Sequence, residues 1–211
     1  MEELPLETTS FSLDSAAPLQ ADRRDDKRHL TLFRVGAMTV DGRRELCLIK
    51  NISAGGMKIR PYCELKIGND ITIELKTGMT VPGHVAWVEA GNAGVEFEHP
   101  VDVIDILSAS NEGPRPRMPR IEIDCHAAVR EGAQTYRMRV IDVSQGGVKL
   151  ESDTILPRGV DLIVTLPNFT PQPAVLRWCE DGFIGVTFNR LLSLGELVDW
   201  LRWMRDEACA A

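Results

Sequence analysis

The feature that most constrains this chain is an internal repeat. Asn51-Ile52-Ser53-Ala54-Gly55-Gly56 recurs as Asp142-Val143-Ser144-Gln145-Gly146-Gly147, an offset of 142 − 51 = 91 residues. Under that offset Met57 falls on Val148 and Ile59 on Leu150. Ile71, Ile73 and Leu75 fall on Leu162, Val164 and Leu166, and Val85 and Trp87 on Leu176 and Trp178. Gly94, Val95 and Phe97 fall on Gly185, Val186 and Phe188. One spacing shared by so many apolar and glycine positions means two copies of one fold, each about 90 residues long. The 211 residues divide well into two small domains, each able to bury a modest core.

Inside each copy the pattern is that of β structure. Ile71, Ile73 and Leu75 alternate with polar residues, so one face of that segment is buried. Asp41-Gly42 and Glu131-Gly132 lie between strand-like runs and predict hairpin turns. Pro82-Gly83 and Gly91-Asn92 punctuate later strands. Many short strands with turns at short intervals predict a small barrel in each copy. Helices are expected only at the ends of the copies. Val101, Ile104 and Leu107 suggest a short one after the first copy. Ser193 and Glu196 form a capping box ahead of Leu197, Trp200, Leu201 and Met204, a stripe read as core packing. Residues 1–20 are acidic, rich in Ser and Thr and without periodicity, and are expected to form a flexible tail. The first domain is placed at 21–110 and the second at 111–211.

Composition excludes several classes. No apolar run approaches the roughly 20 residues of a membrane helix, and no apolar stretch follows a basic start, so membrane insertion and a signal peptide are not expected. The protein is expected in the cytoplasm. The five cysteines are odd in number and none has CxxC spacing, so reduced, mostly buried thiols are expected rather than a disulfide framework or a metal centre. A net charge of −7 argues against a protein that coats nucleic acid. It leaves open a small anionic ligand, which needs only a local cluster of arginines.

Such a cluster precedes the first copy: Arg23-Arg24-Asp25-Asp26-Lys27-Arg28. Arg24 and Arg28 have RxxxR spacing, and Asn51-x-Ser53-x-x-Gly56 follows. Each half is common in unrelated chains. Together, on either side of one predicted hairpin and with Trp87 and Gly94-Val95-Glu96-Phe97 downstream, they resemble the PilZ domain signature, RxxxR followed by [D/N]xSxxG. The resemblance covers about 21–107, and a weaker version covers about 112–205. It implies two tandem six-stranded antiparallel β-barrels, each followed by a helix, and binding of cyclic di-GMP. It assigns the ligand to Arg24, Arg28, Asn51, Ser53 and Gly56, with Arg23 influencing whether one ligand or a stacked pair is bound. The chemistry is suitable. A guanidinium grips a phosphate, or guanine O6 and N7, through two hydrogen bonds. Asn51 and Ser53 offer polar side chains, and Gly56 is expected to leave room for the ligand beside the backbone.

The second copy departs from the signature. Asp142, Ser144 and Gly147 are intact, but the preceding segment is Arg115-Pro116-Arg117-Met118-Pro119-Arg120. Matching Arg120 to Arg28 puts Pro116 at the place of Arg24. Matching Arg115 to Arg24 puts Pro119 at the place of Arg28. RxxxR is broken either way, and proline stiffens the segment. Arg115, Arg120, Asp142, Ser144 and Gly147 therefore define only a secondary candidate site, and the second copy is expected to serve structure or interaction.

No catalytic constellation is present: His29, His84, His99 and His126 belong to no HExxH, and there is no Walker A loop or GxGxxG. Trp87 and Trp178, on strands with apolar neighbours, are read as core residues. The expected function is that of a receptor without cofactor, metal or enzymatic activity, acting on an effector protein. The alternative is a PilZ-fold interaction module that has lost the ligand. A nucleic-acid-binding barrel is disfavoured by the acidity and the few aromatic residues.

Overall fold

The computed structural model of the chain describes residues 29–76, 79–108 and 118–210. The first unit comprises β1 (His29–Val40), β2 (Arg43–Ile52), β3 (Gly56–Pro61), β4 (Asp70–Lys76), β5 (Met79–Glu89), β6 (Asn92–Phe97) and α1 (Val103–Ser108). The second comprises β7 (Ile121–Glu131), β8 (Gln134–Ser144), β9 (Gly147–Glu151), β10 (Asp161–Thr165), β11 (Gln172–Glu180), β12 (Phe183–Phe188) and α2 (Leu194–Ala210). Each unit is a closed, wholly antiparallel barrel. The strand order β1-β2-β3-β6-β5-β4 of the first is repeated as β7-β8-β9-β12-β11-β10 in the second, with β4 closing on β1 and β10 on β7.

Hairpin chemistry accounts for the corners. Asp41 and Gly42 both have positive φ (48° and 73°), the mirror-image turn whose twist matches that of the flanking strands. Pro82-Gly83, expected to punctuate, instead lies within β5, opposite Thr72 and Ile71 of β4. The turn after β5 is Ala90-Gly91, both again at positive φ. The interiors are filled by the alternating residues, Met38, Ile59, Ile73 and Val85 in one barrel and Val129, Leu150, Leu176 and Ile184 in the other, all essentially inaccessible.

In α1 Val103 and Ile106 are buried, while Ile104 faces solvent. In α2 the capping box forms as predicted, Glu196 N–H donating to Ser193 Oγ at 3.1 Å and Ser193 N–H to Glu196 Oε2 at 2.9 Å. The Ser193 hydroxyl and main chain hold the Glu196 carboxyl below its ordinary pKa. Leu197, Trp200 and Leu201 are buried in the second core, and the Trp200 indole donates to Pro167 O at 2.8 Å.

The barrels share an interface. Leu46, on the outer face of β2, belongs to the core cluster of the second barrel, with Val35 and Tyr62 packed beside it. Arg44 Nε donates to Arg120 O at 2.8 Å. Glu45, 5 % exposed and opposite Met38 on the inward side of the sheet, is met by Arg205 of α2 at 2.5 Å. Cys47, Cys63, Cys125 and Cys179 are free thiols. Burial pushes the thiol of Cys47 up to about 12 and that of Cys63 up to about 11, with smaller contributions from the Cys63 thiol to the first and from the Glu45 carboxylate to the second. No described helix is long and apolar enough to cross a membrane.

A buried carboxylate that loses its cation is costly, and Arg205 is partly exposed, which moderates the loss. Arg205→Ala is expected to destabilise the protein by about 2 kcal/mol in urea unfolding. Combining it with Glu45→Gln, which removes the stranded charge, is expected to restore part of that loss.

Candidate functional site

The Asn51–Gly56 motif forms the corner between β2 and β3. Ser53 closes it: both its N–H (2.8 Å) and its hydroxyl (3.1 Å) donate to Gly56 O. The corner is clasped by the end of β6 and the chain that follows it, Phe97 N–H donating to Gly55 O and Val101 N–H to Ala54 O, both at 2.9 Å. The second barrel repeats the construction. Ser144 Oγ donates to Gly147 O at 3.2 Å, Phe188 N–H to Gly146 O and Leu192 N–H to Gln145 O.

Strand packing also requires glycine at this position in both barrels. A Cβ on Gly56 would lie 2.4 Å from Val95 O on β6, and one on Gly147 would lie 2.0 Å from Val186 O. The main chain of the neighbouring strand occupies the space that a side chain at either position would need.

Asn51 follows an irregularity in the β2–β3 register, between Ile49 and Asn51, which frees its side chain to accept from Lys58 N–H through Oδ1 at 3.1 Å. Asn51 lies opposite Lys58, Lys58 opposite Gly94, and Gly94 opposite Trp87. Directly opposed residues share a face, so these four positions form one row across β2, β3, β6 and β5 on the outside of the barrel. Trp87 is thus not a core residue. It is half-buried, and its indole lies flat over Gly94: a Cβ there would be 2.0 Å from Nε1. Lys58 Nζ stands 5.7 Å from the centre of the indole. Lys58 and Trp87 were not among the expected site residues. The offset does align both with Lys149 and Trp178, but a strand tryptophan among apolar neighbours reads as core.

In the second barrel the same row contains Asp142, Lys149, Gly185 and Trp178. Trp178 likewise covers its glycine, with Nε1 2.0 Å from the Cβ position of Gly185, but Lys149 Nζ sits 4.2 Å from the ring of Phe183. Arg120 forms an ion pair with Asp142 Oδ1, so this motif carboxylate is already matched by an arginine of its own barrel. Met118 and Leu191 flank Gly146, an apolar border to this turn.

Arg23, Arg24, Arg28 and Arg115 lie outside the described residues. The strand register still bears on their alignment. His29 pairs with Ile52 as Ile121 pairs with Val143. The residues immediately before these two are Arg28 and Arg120. This equates Arg120 with Arg28, and Pro116 then stands where the first copy has Arg24.

The PilZ domain model matches residues 22–109 and again 114–203. The chain belongs to the PilZ domain family and carries two copies of the domain in tandem. None of the curated proteins matches it. Among solved structures it is similar to PlzA of Borreliella burgdorferi in complex with c-di-GMP, at 14% identity over 80% of this chain and 86% of that one, with a TM-score of 0.34. It is also similar to YcgR of Escherichia coli in complex with c-di-GMP, at 15% identity over 83% and 87% with a TM-score of 0.34. A third is the inhibitor of motility MotI/DgrA of Bacillus subtilis, at 12% identity over 86% and 99% with a TM-score of 0.35.

The close approach at Gly56 makes a direct expectation. Gly56→Ala must push β3 away from β6 main chain, and is expected to cost about 2 kcal/mol or more in urea unfolding. An unchanged midpoint would show that the strand contact is not what requires glycine.

Proposed function

We propose that the protein is a receptor for cyclic di-GMP and that the first barrel binds it. The observation that carries this reading is the complete motif on one barrel: RxxxR at Arg24 and Arg28 immediately ahead of β1, and Asn51-x-Ser53-x-x-Gly56 at the corner that β1 pairs against. Arg24 and Arg28 supply forked, charge-assisted hydrogen bonds to phosphate or guanine. Asn51, whose Oδ1 is taken by Lys58 N–H, offers its two amide donors. Ser53, whose proton is directed at Gly56 O, offers its lone pairs. Arg23 extends the cationic segment towards a second, stacked ligand.

Binding orders the arginine segment against the corner and couples ligand to a change in barrel placement or to an effector protein. The second barrel acts in structure or interaction. Its Arg120 is paired with Asp142, and Pro116 replaces the first arginine of the motif.

Isothermal titration calorimetry tests the assignment. The parent chain is expected to bind cyclic di-GMP with micromolar or tighter affinity, and Arg24→Ala/Arg28→Ala to lose binding. Arg120→Ala/Asp142→Ala, in the other barrel, is expected to retain it. Failure of the parent chain to bind would leave an interaction module as the function.

A further inference from the structure

The row on the outside of the first barrel contains a cation that the family signature does not include. Lys58 is held at both ends. Its main-chain N–H is bonded to the motif residue Asn51, and its ammonium rests over Trp87 at 5.7 Å. The tryptophan is itself fixed, because Gly94 leaves a floor without a side chain for the indole to cover. An ammonium resting on an aromatic face loses less freedom on meeting a ligand than one on a free stem.

Among the described residues Lys58 forms no ion pair. The outward carboxylate nearest along β6, Glu96, lies in the adjacent row opposite Gly56, where it faces His84 Nε2 at 3.7 Å. A cation without an ion-pair partner among the described residues, opposite Asn51 in a chain of net charge −7, is placed to receive an anion.

The second barrel provides the contrast within the same molecule. Lys149 occupies the same register position, but Phe183 stands one row further from the motif turn, where the first barrel has Asn92. The ammonium of Lys149 lies over that ring, at 4.2 Å, rather than over the tryptophan of its own row. The two lysines are equivalent in sequence and differ in where their charge is delivered.

We propose that Lys58, positioned by Trp87, is a third cationic contact of the ligand site and pairs with a phosphate of the bound dinucleotide. The inference rests on the receptor reading given above. It extends the site from the Asn51 corner along the outer face of β3, β6 and β5, and gives Trp87 a task outside the core.

The test is calorimetric titration of cyclic di-GMP into the parent chain, Lys58→Ala, Lys58→Arg and Lys149→Ala, at low and at high salt. Lys58 is on the surface, so Lys58→Ala is expected to keep the thermal midpoint of the parent. At about 50 mM salt it is expected to weaken binding roughly tenfold, the loss of one partly exposed charge-assisted contact. At about 500 mM salt the gap is expected to narrow, because the lost term is Coulombic and screened. Lys58→Arg is expected to bind within about threefold of the parent, and Lys149→Ala to match it. Lys58→Ala binding as the parent does at low salt would overturn the proposal while leaving the receptor reading intact. So would a loss that is independent of salt, or an equal loss in Lys149→Ala. A parent chain that binds no ligand would overturn both.

Discussion

The contact between Gly56 and the carbonyl of Val95 is the constraint on which the rest of the first barrel depends. It brings β3 and β6 main chains close enough that no side chain fits between them. The corner before β3 is thereby held against the strand that carries Gly94. Ser53 then closes the corner with two donors on one carbonyl, and the end of β6 with the chain that follows it clasps the corner. A polar motif at a loop would ordinarily be mobile. Here it is built into the strand ladder, so Asn51, Lys58 and Trp87 are presented from a stiff surface. The sequence places the cationic run Arg23 to Arg28 directly before β1.

The same constraint operates in the second barrel, where Gly147 approaches Val186 O and Ser144 closes the corner. The two copies therefore share a scaffold and differ in the groups mounted on it. Asn51 is replaced by Asp142, whose negative charge is met by Arg120. The neutral amide of the first copy is matched by one half of an ion pair in the second. Arg120 also accepts a hydrogen bond from Arg44 through its carbonyl, so this residue joins the second motif to β2 of the first barrel. Together with Leu46 in the second core and Glu45 against Arg205, this makes the barrels parts of one packed body. A charge so far inside is tolerated only because the cation arrives from 160 residues away.

Much of this was legible in the sequence. The 91-residue offset anticipated the repeated strand order, and alternation anticipated the inward Ile71 and Ile73. The Ser193–Glu196 box marked the start of α2. The failures have specific causes. Trp87 continues the inward series Val81, Gly83, Val85, but the register shift between Val85 and Trp87 turns it outward. Simple period-two counting does not see such a shift. Pro82-Gly83 resembles a turn, yet it continues β5, with Pro82 exposed and Gly83 beside β6 main chain. Ile104, expected on the apolar stripe of α1, is exposed, while its neighbour Val103 and Ile106 are buried. The burial of Glu45 and Leu46 depends on a contact between domains, which local pattern does not encode.

The central claim is that the ligand is bound by one barrel of the two. Amide chemical-shift mapping in a 15N-labelled protein tests it most directly. On addition of cyclic di-GMP, the amides of residues 23–28, 51–58 and the Trp87 indole are expected to shift, while those of 142–149 and the Trp178 indole stay in place. Shifts centred on 142–149, with 51–58 unmoved, would contradict the assignment.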